Sequence, residues 1–320
     1  MDARLQENLR AFFGWKDETG ATNFQKVKER QHIIRRVATT DKSRSYEDSD
    51  QKTQDGEFPA GVVMQDDKLI GFGIHIFNED IYPLQSFEIY LRNCDLTGKL
   101  DLSGAGDLLF IDLYHNRISE ICTAGLDSLR ILGLQDNLLE SLEPSTAPQC
   151  LGIDAGMNRL KKLDVSRNPE LVELYVNDNQ ITEIDLSHNP ALKYFYCHNN
   201  GIMELDTRNN PLLRHLNATG NPMKRILSLA PQREERLPLE LYAEEGGTVG
   251  LKFYPVYNAQ WKETGEWRQS YHAYPDEGWS FAGWFNPAGE KVGDLTEWLD
   301  EYGASRILTA KFRKDGPVDP

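Results

Sequence analysis

In the stretch LDVSRNPELVELYVNDNQITEI, residues 163–184, the apolar positions Leu171, Leu174, Val176, Ile181 and Ile184 are separated by 3, 2, 5 and 3 residues. One face of a helix repeats every 3.6 residues and one face of a strand every 2, and neither period accommodates that series. The series recurs. Copies begin at Leu108 (LLFIDLYHNRISEI), Leu129 (LRILGLQDNLLESL), Cys150 (CLGIDAGMNRLKKL), Leu171 (LVELYVNDNQITEI), Leu192 (LKYFYCHNNGIMEL) and Leu213 (LRHLNATGNPMKRI), always 21 residues apart. A degenerate earlier copy, SFEIYLRNCDLTGKL, carries Cys94 where the others carry Asn.

The shared pattern, L-x-x-L-x-L-x-x-N-x-L, is that of the leucine-rich repeat. It predicts one short strand per copy, with leucines facing inward and the intervening positions on an outer face. A single coil cannot bury its own apolar side, so coils stack and their strands form a parallel sheet. The fold class expected is β-dominated: a right-handed solenoid with an N-terminal cap, followed by residues 239–313, whose AEEGGTV and ILTAKF segments resemble the divergent internalin-type B-repeat, a resemblance that implies a small C-terminal β-rich, grasp-like domain. The Asn column (Asn116, Asn137, Asn158, Asn179, Asn200, Asn221) falls where the chain leaves the strand. The resemblance implies that these side chains hydrogen-bond backbone groups otherwise buried without partners. Connectors such as Asp164 to Pro169 and Asp185 to Pro190 read D-x-S-x-N-P, rich in turn formers and too short for a full helix. Cys94, Cys122, Cys150 and Cys197 follow the repeat grammar without a C-x-x-C spacing, and read as small buried hydrophobes rather than disulfides or a zinc site.

Packing does not dictate the outward strand positions, so they carry the candidate chemistry. Tyr175, Tyr194 and Tyr196 fall on adjacent coils with His198 and His215 alongside, and Tyr90, Phe110 and Tyr114 form a second aromatic group. Gly133, Gly152 and Gly156 leave a bare stretch between them, with Asp112 and Asp154 nearby. Aromatic anchors around a gap suit recognition of a protein or glycan on the concave face. Cross-strand tyrosines also stabilise sheets with no ligand at all. No carboxylate or Cys partners the histidines at metal-ligand spacing, so neither a metal nor another cofactor is expected.

Outside the repeat, residues 1–60 suggest one or two short helices and a polar segment, TTDKSRSYEDSDQKTQDGE. Residues 61–85 read as cap strands around Asp66-Asp67-Lys68, ahead of a solenoid at 86–226. A linker at 227–238 leads to a β domain at 239–313 and a tail at 314–320. In that domain AEEGGTV, AYPDEGWSFAGWFNPAGEKV and ILTAKF resemble the divergent internalin-type B-repeat, with Pro275, Gly278, Phe281, Gly283, Trp284 and Gly289 matching. The stretch NAQWKETGEWRQSYHA departs from that family's threonine- and valine-rich strand. Alternating Trp279, Phe281 and Trp284 are expected to bury one face of a small sheet.

Composition narrows the function. The 320-residue chain is 39% hydrophobic and 27% charged, enough for a sizeable core, and its net charge of −15 disfavours nucleic acid and anionic membrane surfaces. It contains no apolar run long enough to cross a membrane, and no G-x-S-x-G, P-loop or H-E-x-x-H. Repeats followed by a B-repeat-like segment resemble internalin-like bacterial surface proteins. This implies a non-catalytic binding protein at the cell surface or secreted, although the start, MDARLQENLRAFFGWKDETG, is too acidic and polar for a secretory signal. The other reading is a structural spacer or an intracellular scaffold whose repeats mediate assembly.

Overall fold

A computed structural model of the chain describes residues 3–23, 25–26, 63–65, 68–71, 87–106, 108–144, 147–229, 238–258, 263–300 and 306–316. It is a mostly β leucine-rich-repeat solenoid with parallel repeat strands, and divides into two compact units, residues 1–160 and 161–320.

The first unit opens with helix α1 (Ala3–Gly14), followed by the antiparallel pair β1 (Val63–Gln65) and β2 (Lys68–Gly71). Strands β3 (Phe87–Tyr90), β5 (Leu108–Asp112), β7 (Ile131–Gly133) and β8 (Gly152–Asp154) pair in parallel, each a coil's x-L-x segment. Register runs Ile89, Ile111, Leu132, Ile153 across them, so the same repeat position stacks on itself and all four side chains are buried. On the return side β4 (Thr97–Asp101) pairs in parallel with β6 (Arg117–Cys122). Helix α1 packs against β4, burying Leu9, Phe12 and Phe13, and Trp15 lies over Gly98. The buried Asn23 continues that seal, donating to the carbonyls of Phe12 and Thr97 and accepting from the Thr97 amide. Of the second helical stretch expected after Thr22, only Asn23, Gln25 and Lys26 are described; the polar segment beyond it and most of the expected cap lie outside the described residues.

In the second unit β9 (Glu173–Tyr175), β10 (Tyr194–Tyr196) and β12 (His215–Asn217) continue the pattern in parallel, with Leu174, Phe195 and Leu216 in register and buried. On the return side β11 (Glu204–Asp206) pairs with β13 (Arg225–Leu229). The strands that follow are β14 (Pro238–Ala243), β15 (Gly247–Tyr257), β16 (Glu263–Pro275), β17 (Trp279–Phe285), β18 (Lys291–Gly293), β19 (Glu297–Asp300) and β20 (Arg306–Lys314). They join both repeat sheets. Strand β15 pairs antiparallel with β12, setting Phe253 opposite Leu216, and β16 and β19 follow it. Strand β14 pairs antiparallel with β13, and β20, β17 and β18 extend that sheet. Trp284 is fully buried against Tyr271 and Phe281, its indole N–H donating to the Leu295 carbonyl. Trp279 and Phe281 stay half-buried. Gly246, at φ +93°, and Gly247 are pressed against the rings of Trp279 and Phe312, which leaves no room for a side chain at either.

The asparagine column does more than close its own turn. Asn137 Oδ1 accepts from the Ile118 amide at 3.0 Å while Nδ2 donates to the carbonyls of Leu113 (2.8 Å) and Leu134 (3.1 Å). Asn116, Asn158, Asn200 and Asn221 repeat the arrangement, so each side chain also bonds the preceding coil. A second buried ladder is formed by connector asparagines. Asn189 donates to the carbonyls of Val165 and Asn168, and Asn210 to those of Leu186 and Asn189. All four cysteines are free thiols. Cys94, Cys150 and Cys197 are buried, whereas Cys122 is exposed, correcting its reading as a buried hydrophobe: it ends β6 on that strand's outer side.

Candidate recognition face

The outward positions of the first unit are occupied from within. Strand β5 is buried at every position, so Phe110 (5% exposed) and Asp112 (1%) are interior side chains and not the open surface their repeat positions suggested. Asp112 Oδ2 accepts from Arg92 Nε at 2.5 Å, and the same guanidinium sits over the Tyr114 ring, 4.7 Å from its centroid. Tyr114 then crosses Gly133 and donates its hydroxyl to Asp154 Oδ2 at 2.7 Å. A Cβ on Gly133 would stand 2.5 Å from the Tyr114 ring, so the glycine exists to admit that ring. Gly133, Gly152 and Gly156 are all buried, and the expected bare stretch is absent. Arg92, an outward position of the degenerate copy, is the member that the candidate residues leave out. Its position in the degenerate copy gave the clue, since it stands one coil before Tyr114. The Tyr90 side chain lies outside the described residues.

Burial raises the Asp112 carboxyl to about 6, more than the neighbouring Arg92 charge can offset. Asp154 is raised for the same reason, with the Tyr114 hydroxyl opposing, and Tyr114 is pushed up by burial and by the Asp154 charge. The network is a buried polar plug whose side chains bond one another, rather than an acid–base pair facing a cleft.

The second unit keeps its face. Tyr175, Tyr194, Tyr196 and His198 are half-buried, with Tyr175 and Tyr196 edge to face at 5.2 Å and His198 edge-on to Tyr196 at 6.4 Å. His215 is buried between Tyr194, stacked at 4.4 Å, and Tyr257, whose hydroxyl meets His215 Nε2 at 3.1 Å. The Tyr175 hydroxyl reaches Glu173 at 3.4 Å, whereas those of Tyr194 and Tyr196 form no hydrogen bond within the described residues. His198 Nε2 stands 3.7 Å from Asp178, a carboxylate that burial pushes up but hydrogen bonds from Asn177 and Asn199 hold low. Burial depresses both His198 and His215, which are neutral near pH 7.

The repeat pattern did not reach Tyr254, Tyr257 and Lys252. They come from β15, which the antiparallel pairing with β12 lays beside His215 and Asn217. The alternation of Val249, Leu251 and Phe253 marks that strand, but its neighbour is a tertiary choice. Among the described residues no group of three or more His, Cys, Asp or Glu side chains is placed to hold a metal ion, and no helix is long and apolar enough to cross a membrane.

No protein-family model and no curated protein sequence matches the chain. Its structural neighbours are internalin and leucine-rich-repeat proteins. The crystal structure of an internalin, InlF, from Listeria monocytogenes aligns at 21% identity over 41% of this chain and 44% of that one, TM-score 0.35. A leucine-rich-repeat protein of Leptospira interrogans aligns at 26% identity over 41% of this chain and 39% of its own, TM-score 0.34. The functional domain of InlJ from Listeria monocytogenes, described as including a cysteine ladder, aligns at 15% identity over 72% and 67%, TM-score 0.32. The chain thus spans less than half the length of the first two structures.

Proposed function

We propose that this chain is a non-catalytic recognition protein that binds a protein partner through the strand face of its second unit, with Tyr175, Tyr194, Tyr196 and His198 as the contact residues. The observation that carries this reading is the pair of tyrosine hydroxyls, on Tyr194 and Tyr196, that meet no hydrogen-bond partner among the described residues. A ladder that serves the sheet alone needs only ring packing, which phenylalanine supplies equally well, whereas an amphipathic ring with a free polar tip suits an interface. Tyr194 also stacks on His215, so much of one ring face is taken, leaving edges and hydroxyls to a partner. That exposure favours a protein surface over a sugar, which stacks on open ring faces. The first unit's plug of Arg92, Asp112, Tyr114 and Asp154 has a supporting role.

The C-terminal strands are read as a B-repeat-like module, supported by Gly246 and Gly247 at close approaches and by the buried Trp284. With the repeats they fit an adhesion-type protein of a bacterial cell surface. The spacer or scaffold reading draws on the same ring pairs, since they stabilise the sheet without a ligand.

Pull-downs from host-cell and bacterial-surface extracts separate the two. Tyr194→Phe with Tyr196→Phe is expected to weaken partner capture at unchanged thermal stability, and Tyr175, Tyr194 and Tyr196 all changed to Ala to abolish it. Capture that survives the triple change removes this face from recognition.

A further inference from the structure

The hairpin β15–β16 does more than cover the last repeat. Because Leu216 opposes Phe253, and Phe253 opposes Gln269, these three buried residues share the inner face of the sheet. Their neighbours therefore share the outer face: Asn217 on β12, Lys252 and Tyr254 on β15, Arg268, Ser270 and His272 on β16. The outward columns begun by the repeats thus continue across two further strands.

Those columns change in chemistry as they cross. On the repeat side the charged groups are Glu173 and Asp178, the latter beside His198. On the hairpin the Lys252 ammonium lies 5.5 Å from the centre of the Tyr254 ring, and Arg268 opposite Tyr254 is exposed. No carboxylate among the described residues forms an ion pair with either cation. Arg214 shows the contrast: it is paired with Glu263 and stacked over Trp267. Glu297, opposite His272 on β19, is the carboxylate on the outer margin. In a chain of net charge −15, two cations without an ion-pair partner among the described residues, one beside the Tyr254 ring and one opposite it across the strands, are a local reversal of sign.

We propose that the recognition face extends onto β15–β16, where Lys252 and Arg268 flank Tyr254 and receive the carboxylates of an extended acidic segment of a protein partner. This rests on the reading of the strand face as a recognition surface. The net negative charge of the chain disfavours non-specific docking of such a segment, so the cations fix its position and the tyrosines supply contact area.

The probe is a fluorescent peptide alternating glutamate and valine, with analogues carrying glutamine or lysine in place of glutamate, read by anisotropy on the full chain. The glutamate peptide is expected to bind, to weaken as salt rises, and to lose about tenfold in affinity in the Lys252→Glu, Arg268→Glu double variant. The exposed control Arg313→Glu, Lys314→Glu, which makes the same change of charge on another strand, is expected to retain binding. Unchanged circular dichroism establishes that both variants fold. The inference is overturned if the glutamate peptide does not bind, if the glutamine or lysine analogue binds equally, if the control loses as much as the double variant, or if only a sulfated polysaccharide binds. A double variant that binds the peptide as wild type does, while the triple tyrosine variant loses capture from extracts, sinks this extension and leaves the recognition reading standing.

Discussion

At the scale of single residues the turn before each column asparagine imposes a backbone condition. His115, Asp136, Met157, Asp178 and Asn199 all sit near φ +50°, and Gly220 takes +66° at the equivalent place. Asn, Asp, His and Gly tolerate this left-handed region, whereas an unbranched apolar side chain gains nothing there. Met157 is the exception, and it is 45% exposed, so packing does not retain it. Replacing Met157 by Asn is expected to raise stability by about 0.5–1 kcal/mol, seen as a higher urea midpoint at unchanged slope. The opposite outcome is expected at Asn137. Alanine there strands the Ile118 amide in the interior, while the Leu113 carbonyl keeps the Asn116 side chain as a donor, at a cost of about 1–3 kcal/mol. Tyr114→Phe is milder, about 1–2 kcal/mol, because it removes one donor from Asp154, which keeps the Gly156 amide.

At the scale of elements, what could be read from the chain and what could not divide along a physical line. A repeat strand's partner is the strand 21 residues away, in a fixed register, so Leu174, Phe195 and Leu216 announce both their burial and their neighbours. Local pattern and tertiary contact are the same information in a solenoid. Strand β15 also announces its buried side, through Val249, Leu251 and Phe253, yet nothing local says that β12 receives it antiparallel. The site split in the same way. Tyr175 and Tyr196 were placed together by repeat arithmetic, whereas Tyr114 lying across Gly133 depends on a rotamer that no periodicity encodes. The β12–β15 seam is testable as an element. Phe253→Ala empties a fully buried site opposite Leu216, with an expected loss of about 3–5 kcal/mol. If the hairpin and the repeats form one cooperative sheet, amide exchange accelerates in β12 as well as β15. Acceleration confined to β15 and β16 shows a seam that opens independently.

At the scale of the whole molecule, acid acts through two opposed sets of buried groups. Asp112 keeps its proton up to about pH 6 in the folded chain against 3.8 when unfolded. Between those values the folded state holds more protons, so this group's contribution to stability falls as pH rises, by on the order of 3 kcal/mol once pH passes 6. His198, His215 and His272 run the other way: burial depresses them, the unfolded chain takes up their protons first, and stability is lost as pH falls through 6.5. A wild-type pH profile therefore mixes the two. The difference between wild type and Asp112→Asn isolates the carboxyl, since the histidines contribute equally to both. Wild type is expected to lose ground steadily against the Asn variant from pH 4 to 6 in urea midpoints, then run parallel to it above. A flat difference means that Asp112 stays charged in the fold, held by the Arg92 guanidinium, and the plug is then an ion pair at every pH where the chain folds.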